Sequence, residues 1–285
     1  MQILGNILEF LAAVFEITVF QILIILSPLA VCGFILRILK IAFESLIPSA
    51  FGTRAYMFFA AIGTPVHEIG HILACLIFRH KITGFSLFSR EGSSLGYVEH
   101  SYDRRSIYQS SGNFFIGLAP FIFGSAILYF SVKRLYPEFS LSKVPLLSYD
   151  NIKNFSSISY FADYSLKTFG AVKSKLDFFF SIETYRNWRI YPLIIILIGI
   201  GGHISPSMND FRGAARGFRV IFILILILNA VFYFFGGISV ELLSTAALKT
   251  GILVNILIFA AVINFLALLI PLSIIILKRL ISLLI

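Results

Sequence analysis

The sequence predicts an all-α polytopic membrane protein of about six transmembrane helices, carrying one small membrane-associated β-hairpin. Three observations predict it. Hydrophobic residues make up 58% of the chain and charged residues only 13%, outside the range of an ordinary soluble domain. The apolar residues gather in runs long enough to cross a hydrocarbon core, which takes about 20 residues in a helix. Between two of these runs, at residues 81–103, the pattern changes to alternating polar and apolar residues around a turn signal.

Charge and cysteine usage narrow the class further. The 23 Lys+Arg exceed the 14 Asp+Glu, yet the basic residues are scattered at the ends of apolar runs, where they anchor to headgroups. Nucleic acid is therefore not an expected partner, and the lipid bilayer is. Cys32 and Cys75 both lie in apolar runs and read as small buried residues, not as a disulfide framework.

Residues 1–54 are expected to form an N-terminal transmembrane region. The stretch from Leu8 to Phe43 is longer than one crossing needs, so a helix of about Val14 to Lys40 is expected, kinked near Pro28. Met1 to Glu9 lacks a basic n-region, so no cleavable signal peptide is expected and the first span directs insertion itself. Pro48 and Gly52 mark a turn.

Residues 55–216 are expected to form the core. An apolar run from Ala55 to Phe78 opens it, with Gly63 and Gly70 on nearly one face, where another helix can approach, and with Pro65 removing a backbone hydrogen bond. Lys81 to Arg90 and Leu95 to His100 then alternate about Glu91-Gly92-Ser93-Ser94, a β-hairpin whose edge offers strand addition to an unwound substrate backbone, beside Phe85 and Leu87. His100 reads as a surface residue. Phe114 to Val132 is a third span, with Gly117, Ala119-Pro120 and Gly124 as small or kinking residues. Within Lys133 to Arg189, the middle, about Phe155 to Phe180, is expected to hold interfacial amphipathic helices. Ile190 to Ile204 is the fourth apolar run. Residues 217–285 supply two more spans, about Phe218 to Phe235 and Ile252 to Leu277, with no acid and with Arg219 as the one base.

Chemistry concentrates in Gly63-Thr64-Pro65-Val66-His67-Glu68-Ile69-Gly70-His71. On a helix, His67 and His71 project from one face, so two imidazoles reach one metal ion with Glu68 beside it. This is the H-E-x-x-H pattern, in which two His hold zinc and the Glu is general base to a water. Zinc lowers the pKa of its water from ~15.7 towards ~7, within reach of a carboxylate base. The plainer alternative has both His satisfied by neighbouring helices without any metal. Against it, ionisable groups inside a span are costly and mark functional sites by default. Zn2+ is the expected cofactor.

A catalytic zinc keeps three protein ligands and one open position. The nearest acids downstream, Glu91 and Glu99, fall in the hairpin. Among the remaining apolar runs, only the fourth ends in a cluster with ligands, His203 and Asp210. Seven residues span ~10.5 Å of regular helix, so the two are not expected on one ion, although Pro206 breaks the helix between them. Asp210 is the preferred third ligand. His203 is expected to donate a hydrogen bond to the substrate carbonyl or its oxyanion, and Asn209 is a second candidate for that role.

At these residues the chain resembles the site-2 protease family of intramembrane zinc metalloproteases. In that family an H-E-x-x-H helix precedes a membrane-associated β region, another span, and a helix whose proline-containing motif ends in Asp-Gly, the Asp being the third ligand. His67 to His71 matches the first element. Pro206 through Asp210 resembles the second, with His203 where an Asn is expected and Gly213 following Asp210 after two intervening residues. The resemblance covers about Ala55 to Gly213, and no PDZ module is expected within these residues. It implies hydrolysis of peptide bonds in a membrane-protein or membrane-peptide substrate, with hairpin and active site facing the cytosol, the expected location being the cell membrane.

Three other readings stay open. A metalloprotease of the type that trims prenylated C-termini would want a Glu-bearing helix downstream, for which Glu241 is a poor candidate. A metal transporter binds an ion in passing and needs no base, so the position of Glu68 argues against it. A catalytically silent membrane scaffold would keep the fold alone. The oligomeric state is not legible.

Overall fold

Lipid offers no partner to backbone N–H and C=O groups, so a spanning segment has to satisfy them within itself, and the apolar runs become helices. The computed structural model describes residues 2–90, 94–137, 180–234 and 240–284, together with positions 170, 173, 177 and 178. In chain order its elements are α1 (Gln2–Phe51), α2 (Thr53–Ile77), β1 (Lys81–Ser86), β2 (Tyr97–Ser101), α3 (Ile107–Leu135), α4 (Ile182–Arg186), α5 (Ile190–Gly201), α6 (Met208–Phe234) and α7 (Val240–Leu284). Five of the helices, α1, α2, α3, α6 and α7, are long and apolar enough to cross a membrane. The chain is a multi-pass helical membrane protein with one antiparallel hairpin.

The first helix runs unbroken through Pro28, well past the expected Val14 to Lys40, and ends at Gly52, whose φ of 85° only glycine adopts easily. The fourth apolar run is not a span. At 12 residues α5 is about 18 Å long, against the ~30 Å of a hydrocarbon core. Gly201-Gly202 and Pro206 end it early. With Ile190, Leu193 and Leu197 fully buried against residues of α1, α3 and α7, α5 is instead the axis of the core. A helix apolar all round suits that place. Asp210 consequently belongs to the first turn of α6, not to the end of the fourth run.

The expected interfacial helices of Phe155 to Phe180 and the turn residues Glu91 to Ser93 lie outside the described residues, apart from the isolated positions above, and so does the side chain of Glu241. The hairpin pairs Lys81 with Ser101 and Ser86 with Tyr97, with a bulge between Ile82 and Gly84 that makes Thr83 the extra residue. Strand pairing ends at Ser86, so Leu87 lies just beyond β1.

Glycines set the helix spacings around the site. A Cβ on Gly63 would meet the Gly199 carbonyl and, at 2.6 Å, the Cβ of His203; one on Gly70 would lie 2.9 Å from Pro120 Cα. The two glycines of α2 thus admit two neighbours, α5 and α3, not one. A Cβ on Gly117 would meet the Asp210 carbonyl and, at 2.9 Å, Ala214, so α6 can lie against α3 only because this position is bare. Gly117→Val should therefore cost roughly 1–3 kcal/mol through overpacking. It should lower both the thermal midpoint and metal retention, measured by differential scanning fluorimetry and elemental analysis of the same preparation.

Candidate metal centre

Buried positions on α2 recur at 60, 63, 64, 67, 68, 70, 71, 74 and 75, a helical stripe, so His67, Glu68 and His71 are turned into the protein rather than toward lipid. Each imidazole is oriented by a backbone carbonyl. His67 Nδ1 lies 2.9 Å from the His203 carbonyl, and His71 Nδ1 lies 2.9 Å from the Ile116 carbonyl. A carbonyl only accepts, so both rings donate from Nδ1 and, when neutral, hold their lone pairs on Nε2.

Both Nε2 atoms face one carboxylate. His67 Nε2 is 3.5 Å from Asp210 Oδ2, and His71 Nε2 is 3.2 Å from Asp210 Oδ1. Asp210 is held in place by a reciprocal cap at the start of α6. Its Oδ2 accepts the Ser207 N–H at 2.6 Å, and its own N–H donates to Ser207 Oγ at 3.2 Å. The helix N-terminus favours the negative charge as well.

These three residues form a group that could hold a metal ion, their ligand atoms all within 4.8 Å of one another. The donor chemistry fits. Neutral rings set two lone pairs against two carboxylate oxygens with no hydrogen between them, a crowd of acceptors that a cation relieves. A proton on one ring relieves only one of the two contacts, and protonating both would put two positive rings side by side, their centroids 5.0 Å apart, in a buried site. The 3.2 and 3.5 Å separations also match the ~3.4 Å donor–donor edge of a tetrahedral site with bonds near 2.1 Å.

Why the Ile116 carbonyl is free is a matter of proline. Ile116 would ordinarily accept from the N–H four residues on, but that residue is Pro120, which has none. The sequence marks Pro120 only as a kinking residue. In the structure it releases the acceptor that fixes the His71 ring. Pro120→Ala returns a competing N–H and should weaken metal binding roughly tenfold, as loss of an outer hydrogen bond does, with the helical content unchanged. Competition against a calibrated chelator, alongside circular dichroism, checks it.

The group opens into a cavity of about 800 Å³. Glu68 lies in its wall next to the ligands, and Ser94 to His100 form the facing side. Gly96 makes this closeness possible, since a Cβ there would lie 2.8 Å from Glu68 Cγ and 2.8 Å from Thr64 Cγ2. Asn209, Lys40, Tyr56 and Arg216 also line the cavity. Phe85 and Leu87 do not. The strand that faces the site is β2, and Phe85, on β1, is exposed. His100, read from sequence as a surface residue, is part of the cavity wall. Cys75 is buried with Ala74, Ile116 and Ala119 in an apolar cluster and is no ligand.

His203 lines the same cavity, and its ring is tied to the backbone of α5. Its Nδ1 is 2.8 Å from the Gly199 carbonyl, so that nitrogen carries the hydrogen and the neutral ring has only a lone pair at Nε2, buried and without a partner among the described residues. A ring in this state accepts and cannot donate to an oxyanion from Nε2. What His203 supplies is its backbone carbonyl, the group that orients His67. Asn209 keeps the donor candidacy.

Neither protein-family models, nor curated proteins, nor solved structures give a significant match to this chain.

Proposed function

We propose that the protein is an intramembrane zinc metalloprotease, of the site-2 protease kind that its motifs resemble, hydrolysing peptide bonds of membrane-protein substrates in or near the bilayer. One observation carries the reading. Two imidazoles of α2 and a carboxylate of α6, 139 positions from His71 in sequence, point their free donor atoms at one another beside Glu68 in the cavity wall. Metal binding alone would not call for Glu68 in the cavity wall next to the ligand group.

His67, His71 and Asp210 would hold zinc, which when bound acidifies water and polarises a carbonyl. Glu68 takes the proton of the attacking water on its carboxylate and hands it to the leaving amine. Asn209 and Lys40, both on the cavity wall, are placed to donate to the substrate carbonyl. A substrate helix hides its carbonyls in its own hydrogen bonds, so it unwinds first. The edge of β2 away from β1, unpaired among the described residues, can then take the extended segment. The site faces the cytosol of the cell membrane in this reading.

The test uses full-length protein in lipid nanodiscs, loaded with zinc, and a set of single-span peptides carrying helix-breaking residues near one end. Cleavage should stop with 1,10-phenanthroline and return on adding zinc. A zinc-loaded protein that cleaves none of the set would count against the proposal.

A further inference from the structure

The hairpin brings a second pair of imidazoles to the site, and the chemistry above makes no use of it. Helix α2 ends in a turn with Arg79 at φ 57°, where Arg79 N–H donates to the Leu76 carbonyl and His80 N–H to the Cys75 carbonyl at 2.8 Å. This tucks His80 inside, 4% exposed, with its ring stacked on Tyr102 at a centroid distance of 4.9 Å. His80 Nε2 lies 2.8 Å from the Gln109 carbonyl and its Nδ1 lies 3.0 Å from Nδ1 of His100.

The hydrogens follow from the partners. Gln109 O only accepts, so His80 carries its hydrogen on Nε2 and accepts at Nδ1; His100 must then donate from Nδ1. Burial above all pushes the His100 pKa down, so the ring is neutral near pH 7 with one hydrogen to place. Its Nε2 is left as a bare lone pair. That atom has no hydrogen-bond partner among the described residues, is not sealed from solvent, and belongs to a residue of the cavity wall.

We propose that His100 Nε2 accepts a hydrogen bond from a peptide N–H of the substrate, and that His80, backed by the Gln109 carbonyl, is the positioning residue that keeps this acceptor state. The inference rests on the hydrolase reading and narrows it. The cavity favours an amide backbone with a free N–H at one place near the reacting bond, and disfavours proline there. His100 is on β2, the strand along which the substrate would lie, so a backbone N–H is the donor most readily presented to it.

Zinc-loaded full-length protein in nanodiscs is titrated with a tripeptidyl hydroxamate and with analogues N-methylated at one amide at a time. One methylation should weaken binding roughly fivefold in the native protein. That penalty should vanish in His100→Phe and return in His100→Gln, whose amide oxygen can accept in place of Nε2. Long-range 1H–15N spectra of histidine-labelled protein should show His100 protonated at Nδ1 alone, a preference lost in His80→Phe. Hydroxamates that bind with the same methylation penalties in native and His100→Phe proteins, or a His100 protonated at Nε2, overturn this inference and leave the hydrolase reading standing. If no hydroxamate binds the zinc-loaded protein, the hydrolase reading fails and takes this inference with it.

Discussion

Glu68→Gln should leave the zinc content of the protein unchanged and lower peptide hydrolysis by about 10²–10⁴-fold, the share that a positioned general base contributes. The separation of effects follows from the geometry. Glu68 is not among the three residues whose donor atoms converge, so removing its charge takes no ligand away. Gln has the same length and shape, so the close contact with Gly96, where even a methyl group would come within 2.8 Å of Glu68 Cγ, is kept. What the amide lacks is a basic oxygen. Turnover of a cleavable membrane peptide and zinc by elemental analysis, on one preparation, measure both halves. Full turnover with zinc in place would remove Glu68 as the base, while loss of zinc would make it part of the binding site.

Some of this site was legible in the chain and some was not, for identifiable reasons. The His67 and His71 pair was legible because a four-residue spacing on a helix needs no tertiary knowledge. Asp210 was reachable because few other side chains of the apolar runs can bind a metal. Its element was misassigned, since apolar length alone does not say that Gly201-Gly202 and Pro206 stop α5 after 12 residues. The signal that would have placed it was present. Ser207 and Asp210 have the spacing of a helix-initiating reciprocal cap, which puts the carboxylate in a first turn and not at a helix end. Pro120 and the tautomers of His203 and His100 were beyond reach. Which carbonyl a proline frees can be read from sequence, but which imidazole comes to use it depends on how α2 lies against α3. Likewise, alternation makes the hairpin predictable without telling which strand faces the cavity, and it is β2, not the strand of Phe85, that lines it.

Asp210→Asn is expected to invert the response of stability to metal. In the native protein without metal, at a pH high enough to keep both imidazoles neutral, two lone pairs face two carboxylate oxygens at 3.2 and 3.5 Å, an arrangement of acceptors only. The asparagine amide keeps an oxygen for the Ser207 N–H, so the cap on α6 survives, and it turns an NH₂ toward the histidines as a donor. The chelated variant should therefore melt above the chelated native protein, by an amount set by about one good hydrogen bond, ~1 kcal/mol. Adding zinc should reverse the order. Native protein gains about 2.7 kcal/mol when free zinc is 100 times its dissociation constant, whereas the variant, with one anionic ligand gone, gains little at the same concentration. Ser207→Ala separates the cap from the charge: it removes the hydroxyl that accepts the Asp210 N–H, keeps the carboxylate, and should lower the melting temperature with and without zinc alike. Four melting curves for each protein, with chelator and at three zinc concentrations, decide the matter. If Asp210→Asn melts below the native protein under chelation and still shifts upward with zinc as far as the native does, the carboxylate is only a helix cap, and the metal group loses its third member.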